Sequence, residues 1–173
     1  KGLEGSIDDT PKPGNSIFKN VYNFLIGNNT LACNKAVESL RKNNIQVIHL
    51  GSSFNGQAID FGRLLGKLTT DLSISSLPIA FVLGGETTVK LNKRKVNGKG
   101  GRNQEAILSA ATKCFFNDRD DITIVSMGTD GIDGNSLAAG GFLTPKTLYL
   151  IQKKSINLKK YLKNHVSHTA LKK

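Results

Sequence analysis

Arg102 stands where a run of glycines gives way to helical spacing, and its neighbours have the chemistry of an anion site. Residues 98–105 read Gly-Lys-Gly-Gly-Arg-Asn-Gln-Glu, after which Ala106, Ile107, Leu108, Ala110, Ala111 and Cys114 repeat at the interval of a helix with a broad apolar face. The first backbone N–H groups of a helix lack partners within it, and the helix dipole favours an anion there. A guanidinium adds a planar fork matched to carboxylate or phosphate oxygens, while glycines let a ligand approach the main chain. The competing reading is a solvated basic hairpin followed by an arginine lying over its own helix. Residue chemistry alone leaves the two in balance.

Carboxylates stand in two further glycine turns. Glu86 lies in Gly84-Gly85-Glu86-Thr87-Thr88, and Asp130 and Asp133 lie in Gly128-Thr129-Asp130-Gly131-Ile132-Asp133-Gly134. Such oxygens suit magnesium, held directly or through water. The spacing is not that of an EF-hand, because the third, fifth and twelfth places counted from Asp130 are Ile132, Gly134 and Gly141. The alternative is that the aspartates bond their own tight turns. Residues 62–68 have one residue too few between glycines for a phosphate loop and Leu68 where Ser or Thr is needed, so they read as core packing. Residues 98–103 miss the last glycine of the dinucleotide fingerprint, which excludes a Rossmann cofactor site there. His49, His165 and His168 have no nucleophile elbow and no spaced ligand partners, and are read as structural.

Three ordered motifs, residues 84–89, 100–105 and 128–134, resemble the C-terminal signature of the glycerate 2-kinase family, whose C-terminal module is known as MOFRL. The likeness runs upstream through residues 9–14 and 26–29 and downstream to about Ser167, so it covers nearly the whole chain. The resemblance implies a two-domain α/β enzyme that moves the γ-phosphoryl of ATP to a hydroxyl of glycerate, with magnesium, to give 2-phosphoglycerate. It places the nucleotide-binding glycine segments and an essential lysine in an N-terminal domain that this chain lacks. Residues 1–16 are then a linker and residues 17–173 the C-terminal α/β domain, with the MOFRL-like part at about 79–173 and the active cleft facing the missing domain. Arg102 matches the arginine at the reaction centre. Gly85, Glu86, Thr87, Gly101, Asn103 and Asp130 match substrate-side positions, and Asp130, Asp133 and Glu86 the acidic positions available to a metal. Thr88, Gln104 and Glu105 match the motifs without an assigned role.

The chain departs from the family pattern at Leu137 and Val166, where the family tends to carry acids, and stops short of its closing Thr-Gly-Thr-Asn-Val-type segment. Some family members are labelled hydroxypyruvate reductase, which makes a reductase fragment one alternative. A non-catalytic basic nucleic-acid-binding module is the other.

The elements that must hold these residues alternate. Residues 1–16 read as an arriving linker, and residues 20–27 as a strand, because Asn28-Asn29-Thr30 follows as a turn and helix cap. A helix then runs to Asn43-Asn44, a strand over 45–50 closes at Gly51-Ser52-Ser53, and a second helix spans 57–72. Strands over 78–83 and 87–91 flank Gly84 and Gly85, and residues 92–101 read as a mobile loop leading to the helix at Arg102. An acidic turn at 118–121, a strand over 122–127, a short strand at Phe142 and Leu143, and basic helices over 146–154 and 158–163 complete the chain. The pattern predicts a single compact α/β domain with a mostly parallel or mixed sheet flanked by helices, and ligands gathered beyond strand ends.

A chain of 173 residues can bury roughly 70% of its unfolded surface, enough for a sizeable core. No apolar run approaches the ~20 residues of a membrane span, and residues 1–15, which begin with Lys1, hold no signal-peptide core, so a piece of a longer protein is expected. Two cysteines, Cys33 and Cys114, sit in helical apolar surroundings and suit a reducing cytoplasm. Net charge is +11, with six basic residues in 90–102 and eight lysines in 145–173 and no acid in either stretch. Such blocks suit anionic substrates or an acidic partner domain; nucleic acid is disfavoured, because aromatics are 6% and no reader module is present. Homo-oligomerisation is compatible with the sequence.

Overall fold

A computed structural model of the chain describes residues 4–5, 10–71, 78–91, 98–114 and 121–173. In order, these form a short 3-10 turn at Ser16–Phe18, helix α1 (Asn29–Lys42), strands β1 (Gln46–His49) and β2 (Phe54–Gln57), and helix α2 (Ala58–Asp71). Strands β3 (Ile79–Val82) and β4 (Gly85–Thr88), helix α3 (Arg102–Ala111), strands β5 (Ile124–Met127) and β6 (Gly140–Leu143), and helices α4 (Pro145–Lys153), α5 (Leu158–Lys163) and α6 (Ser167–Leu171) follow. Side-chain caps start several helices: Asn28 accepts from the Leu31 N–H, Asn157 from that of Lys160, and Thr144 from that of Thr147 ahead of a proline at the first turn of α4.

β1 pairs in parallel with β3, and β2 with β4. Leu50 N–H donates to Val82, Gly84 N–H to Gly51, and Phe54 N–H to Gly84, so two stretches of chain run side by side through a break between the pairs. β5 and β6 are antiparallel. The fold is therefore mixed α/β, as expected. β2 was not anticipated, since only Phe54 marks it as apolar, and its pairing draws β4 forward to begin at Gly85 rather than at Thr87.

Helix α3 is the centre of the packing, with every residue from Gln104 to Ala111 buried. Ile107, Ala110 and Ala111, with Cys114 just beyond the helix, meet Ile122, Ile124 and Leu143 from the β5–β6 hairpin. A buried Ile or Leu contributes about 1.5–3 kcal/mol. On the opposite side α2 lies directly on the α3 backbone. A methyl group at Gly62 would run into the carbonyl of Ala106, and one at Gly66 into that of Ala110. The glycines of residues 62–68 serve this contact.

The strand expected at 20–27 is not formed. Residues 21–28 are irregular and exposed, with Ile26 at 97% exposure. A strand needs neighbours for its N–H and C=O groups and a surface for its apolar side chains; here β1 and β3 pair with each other, and residues 21–26 are exposed and join no strand among the described residues. Helix α6 is an addition that the sequence pattern did not mark. The basic stretch 92–97 of the expected loop and residues 118–120 of the expected acidic turn lie outside the described residues. Cys33 and Cys114 are buried free thiols; burial pushes the Cys114 thiol up, against a hydrogen bond with Thr69 that lowers it. No described helix is long and apolar enough to cross a membrane.

Candidate active site

Gly101, the residue before α3, has extended backbone and no side chain with which to cap the helix. The cap comes from Asp133, in the loop between β5 and β6. One carboxylate oxygen of Asp133 accepts from the backbone N–H of Asn103 at 3.0 Å and from its side-chain amide at 3.1 Å. The other accepts from the N–H of Gln104 and from its side-chain amide, both at 2.9 Å. Asp133 is 1% exposed. Burying a carboxylate is costly, and these four donors together with the positive end of the helix offset that cost. Gly101 is needed because a side chain there would collide with Asp133, and Gly134 turns the chain away at a φ of +63°.

The anion expected at this helix N-terminus is thus supplied by the chain itself. The N–H groups of Asn103 and Gln104 are occupied by it, and the guanidinium of Arg102 stands apart from them. Arg102 is the first residue of α3, and its Nη1 lies 2.8 Å from Oε1 of Glu86 on β4. The two side chains are 44% and 76% exposed, so the pair is weak and open to exchange with a solvent anion.

Around this pair the sequence-expected residues fall into two groups. Gly85 and Glu86 lie on β4, and Thr87 is half-buried opposite Gly56. Gly101 and Asn103 begin α3, where the side-chain oxygen of Asn103 also accepts from Ser126 of β5 at 2.7 Å. Asp130 is exposed and accepts from the N–H of Ile132 within its own turn at 3.3 Å. The donor set does not fit a resident magnesium ion: both oxygens of Asp133 are taken by N–H groups, Glu86 faces Arg102, and no three His, Cys, Asp or Glu among the described residues gather to hold a metal.

Several residues of the site escaped the sequence reading. Nε2 of Gln104 donates to Ser136 at 2.8 Å, and its Oε1 faces Nδ1 of His168 at 2.8 Å. His165 Nδ1 lies 3.0 Å from Oε2 of the buried Glu105. Asn135 binds Gly98 and Gly100 through its side chain, both at 2.9 Å. The sequence marks Gln104 and Glu105 only as motif positions without a role, and nothing in it links them to His165 and His168.

The structure is a mixed α/β domain whose central helix is capped by a buried aspartate and begins with an arginine. The model of the MOFRL family matches residues 79–173, more than half of the chain, and the chain belongs to that family. It is 34% identical over 177 residues to a glycerate 2-kinase of Pyrococcus horikoshii, a match covering 100% of this chain and 38% of the relative. A crystal structure of glycerate kinase from Thermotoga maritima superposes with a TM-score of 0.76 at 32% identity, covering 88% of this chain and 37% of that one. A putative hydroxypyruvate reductase of Agrobacterium vitis is 32% identical over 152 residues, 86% of this chain and 39% of the relative. The chain therefore spans well under half the length of these relatives and is homologous to a part of the glycerate kinases.

Proposed function

We propose that residues 17–173 are the substrate-side domain of an ATP-dependent glycerate 2-kinase, reached by a linker over residues 1–16 and closing its active cleft against an N-terminal nucleotide-binding domain of the same protein. The carrying observation is the solvent-open Arg102 fork, paired among the described residues with the exposed carboxylate of Glu86, on a helix whose own anion position is already filled. Glycerate or the transferring phosphoryl exchanges with Glu86 for that fork. Phosphoryl transfer depends on positioning and on neutralising the charge spread over the moving group, and a fixed guanidinium supplies both.

In this reading Gly85, Glu86, Thr87, Gly101, Asn103 and Asp130 line the substrate side of the cleft. ATP and its magnesium enter with the N-terminal domain, the metal supplying charge neutralisation on the nucleotide's phosphates. The two buried free thiols favour a cytoplasmic setting. The name carried by the Agrobacterium vitis relative favours a second reading, reduction of hydroxypyruvate.

Assay of the full-length protein separates the two. With glycerate and ATP it is expected to form 2-phosphoglycerate and ADP. Oxidation of NADH or NADPH by hydroxypyruvate, without phosphorylation of glycerate, would replace the kinase reading with the reductase.

A further inference from the structure

A buried polar cluster lies behind Arg102 and has no part in the proposed chemistry. Gln104, Asp133 and Ser136 are all buried, and each of their side chains is hydrogen-bonded within the cluster. Ser136 donates to the Asp133 carbonyl at 2.9 Å while accepting from Gln104. A carboxylate and a hydroxyl oxygen facing Nε2 of Gln104 fix the direction of its amide, so Oε1 is the atom turned to His168, and His168 Nδ1 is the donor. His168 is on α6, 64 residues away in sequence, and its own backbone N–H donates to Lys99 in the glycine loop that leads into Arg102.

The same segment makes a second attachment. His165 adopts a left-handed backbone with a φ of +52° and places its ring against Glu105, the next residue of α3. That conformation is uncommon for a residue with a side chain and persists where the surroundings hold it. The first turn of α3 is therefore gripped from two sides: by the β5–β6 loop through Asp133 and Ser136, and by the C-terminal segment through His165 and His168.

We infer that His168 is a positioning residue for Arg102. Its Nδ1–H ties α6 to the Gln104 amide that Asp133 and Ser136 orient, and this holds the helix end from which the guanidinium projects. The inference rests on the proposed role of Arg102 in glycerate phosphorylation. Losing the donor leaves the buried Oε1 of Gln104 without its partner and releases the first turn of α3 from α6.

The test uses the full-length protein, with His168→Leu and His168→Asn made in wild-type and in Arg102→Ala backgrounds. Glycerate–ATP kinetics are measured on each, with circular dichroism and thermal melting to establish folding. His168→Leu is expected to lower kcat by about tenfold or more, since small misplacements of a reacting group carry losses of that order, with KM for ATP unchanged. His168→Asn, whose amide N–H lies close to the place of Nδ1–H, should recover most of the loss. On the Arg102→Ala background His168→Leu should cause no further fall. Should His168→Leu fail to fold, His168→Ala, which removes the donor with less bulk, is read in its place. A folded Leu or Ala variant with wild-type kcat overturns the inference. So does an equal loss on both backgrounds, which would leave the role of Arg102 standing. Wild-type activity in Arg102→Ala itself would remove the functional reading first, and with it any arginine for His168 to position.

Discussion

Arg102 and Asp133 divide between them what looked like one anion site. Asp133 takes the helix end, where its charge meets N–H groups away from water, and Arg102 keeps its fork turned to Glu86 and solvent. The division has a kinetic consequence. If the fork engages an anion in two-point geometry as the reaction proceeds, Arg102→Lys in the full-length protein keeps the charge and loses the geometry. Turnover should fall by ~10²–10³, the range typical for loss of one charge-stabilising donor. If Arg102 merely covers its helix, lysine preserves stem packing and charge, and kcat and KM stay at wild-type values. Steady-state kinetics on a variant that circular dichroism shows to be folded decides between them.

At the level of elements, the contact between α2 and α3 sets where the site stands, because the helix carrying Arg102 is seated on two glycines. Gly62→Ala drives a methyl group into the Ala106 carbonyl and the Ser109 side chain, with no flexible neighbour able to give way. Overpacking of this kind costs typically ~1–3 kcal/mol, which denaturant unfolding of the variant would measure. A midpoint equal to that of wild type would mean the two helices stand further apart. These elements were legible because their signals are local. Leu64, Leu65 and Leu68 in α2 and Ala106, Ile107 and Ala110 in α3 recur at helical spacing, and residues 79–82 and 124–127 are short apolar runs. β2 was missed because its assignment depends on pairing with β4, 31 positions away, and not on its own composition. Residues 20–27 misled for the converse reason: their apolar character is real, but no strand stands beside them among the described residues. The cap on α3 and the two histidines behind it join residues 29 to 64 positions apart, and spacing along a chain cannot reveal which side chains meet across a fold.

For the whole molecule, the governing fact is that 173 residues match only 38% of the Pyrococcus horikoshii relative. The described residues offer an arginine, a supporting network and a strand that could line a cleft, while the nucleotide has no phosphate loop to hold it here. In-line phosphoryl transfer needs donor and acceptor held together, so half of a cleft should bind without turning over. On the proposed reading the net charge of +11 would draw anionic substrates and face the remainder of the protein. The most direct test is a glycerate kinase assay run on purified residues 1–173 alone and on the full-length protein under the same conditions. The account predicts a folded but inactive fragment and ATP-dependent formation of phosphoglycerate by the full-length protein. Robust turnover of ATP and glycerate by residues 1–173 alone would contradict it.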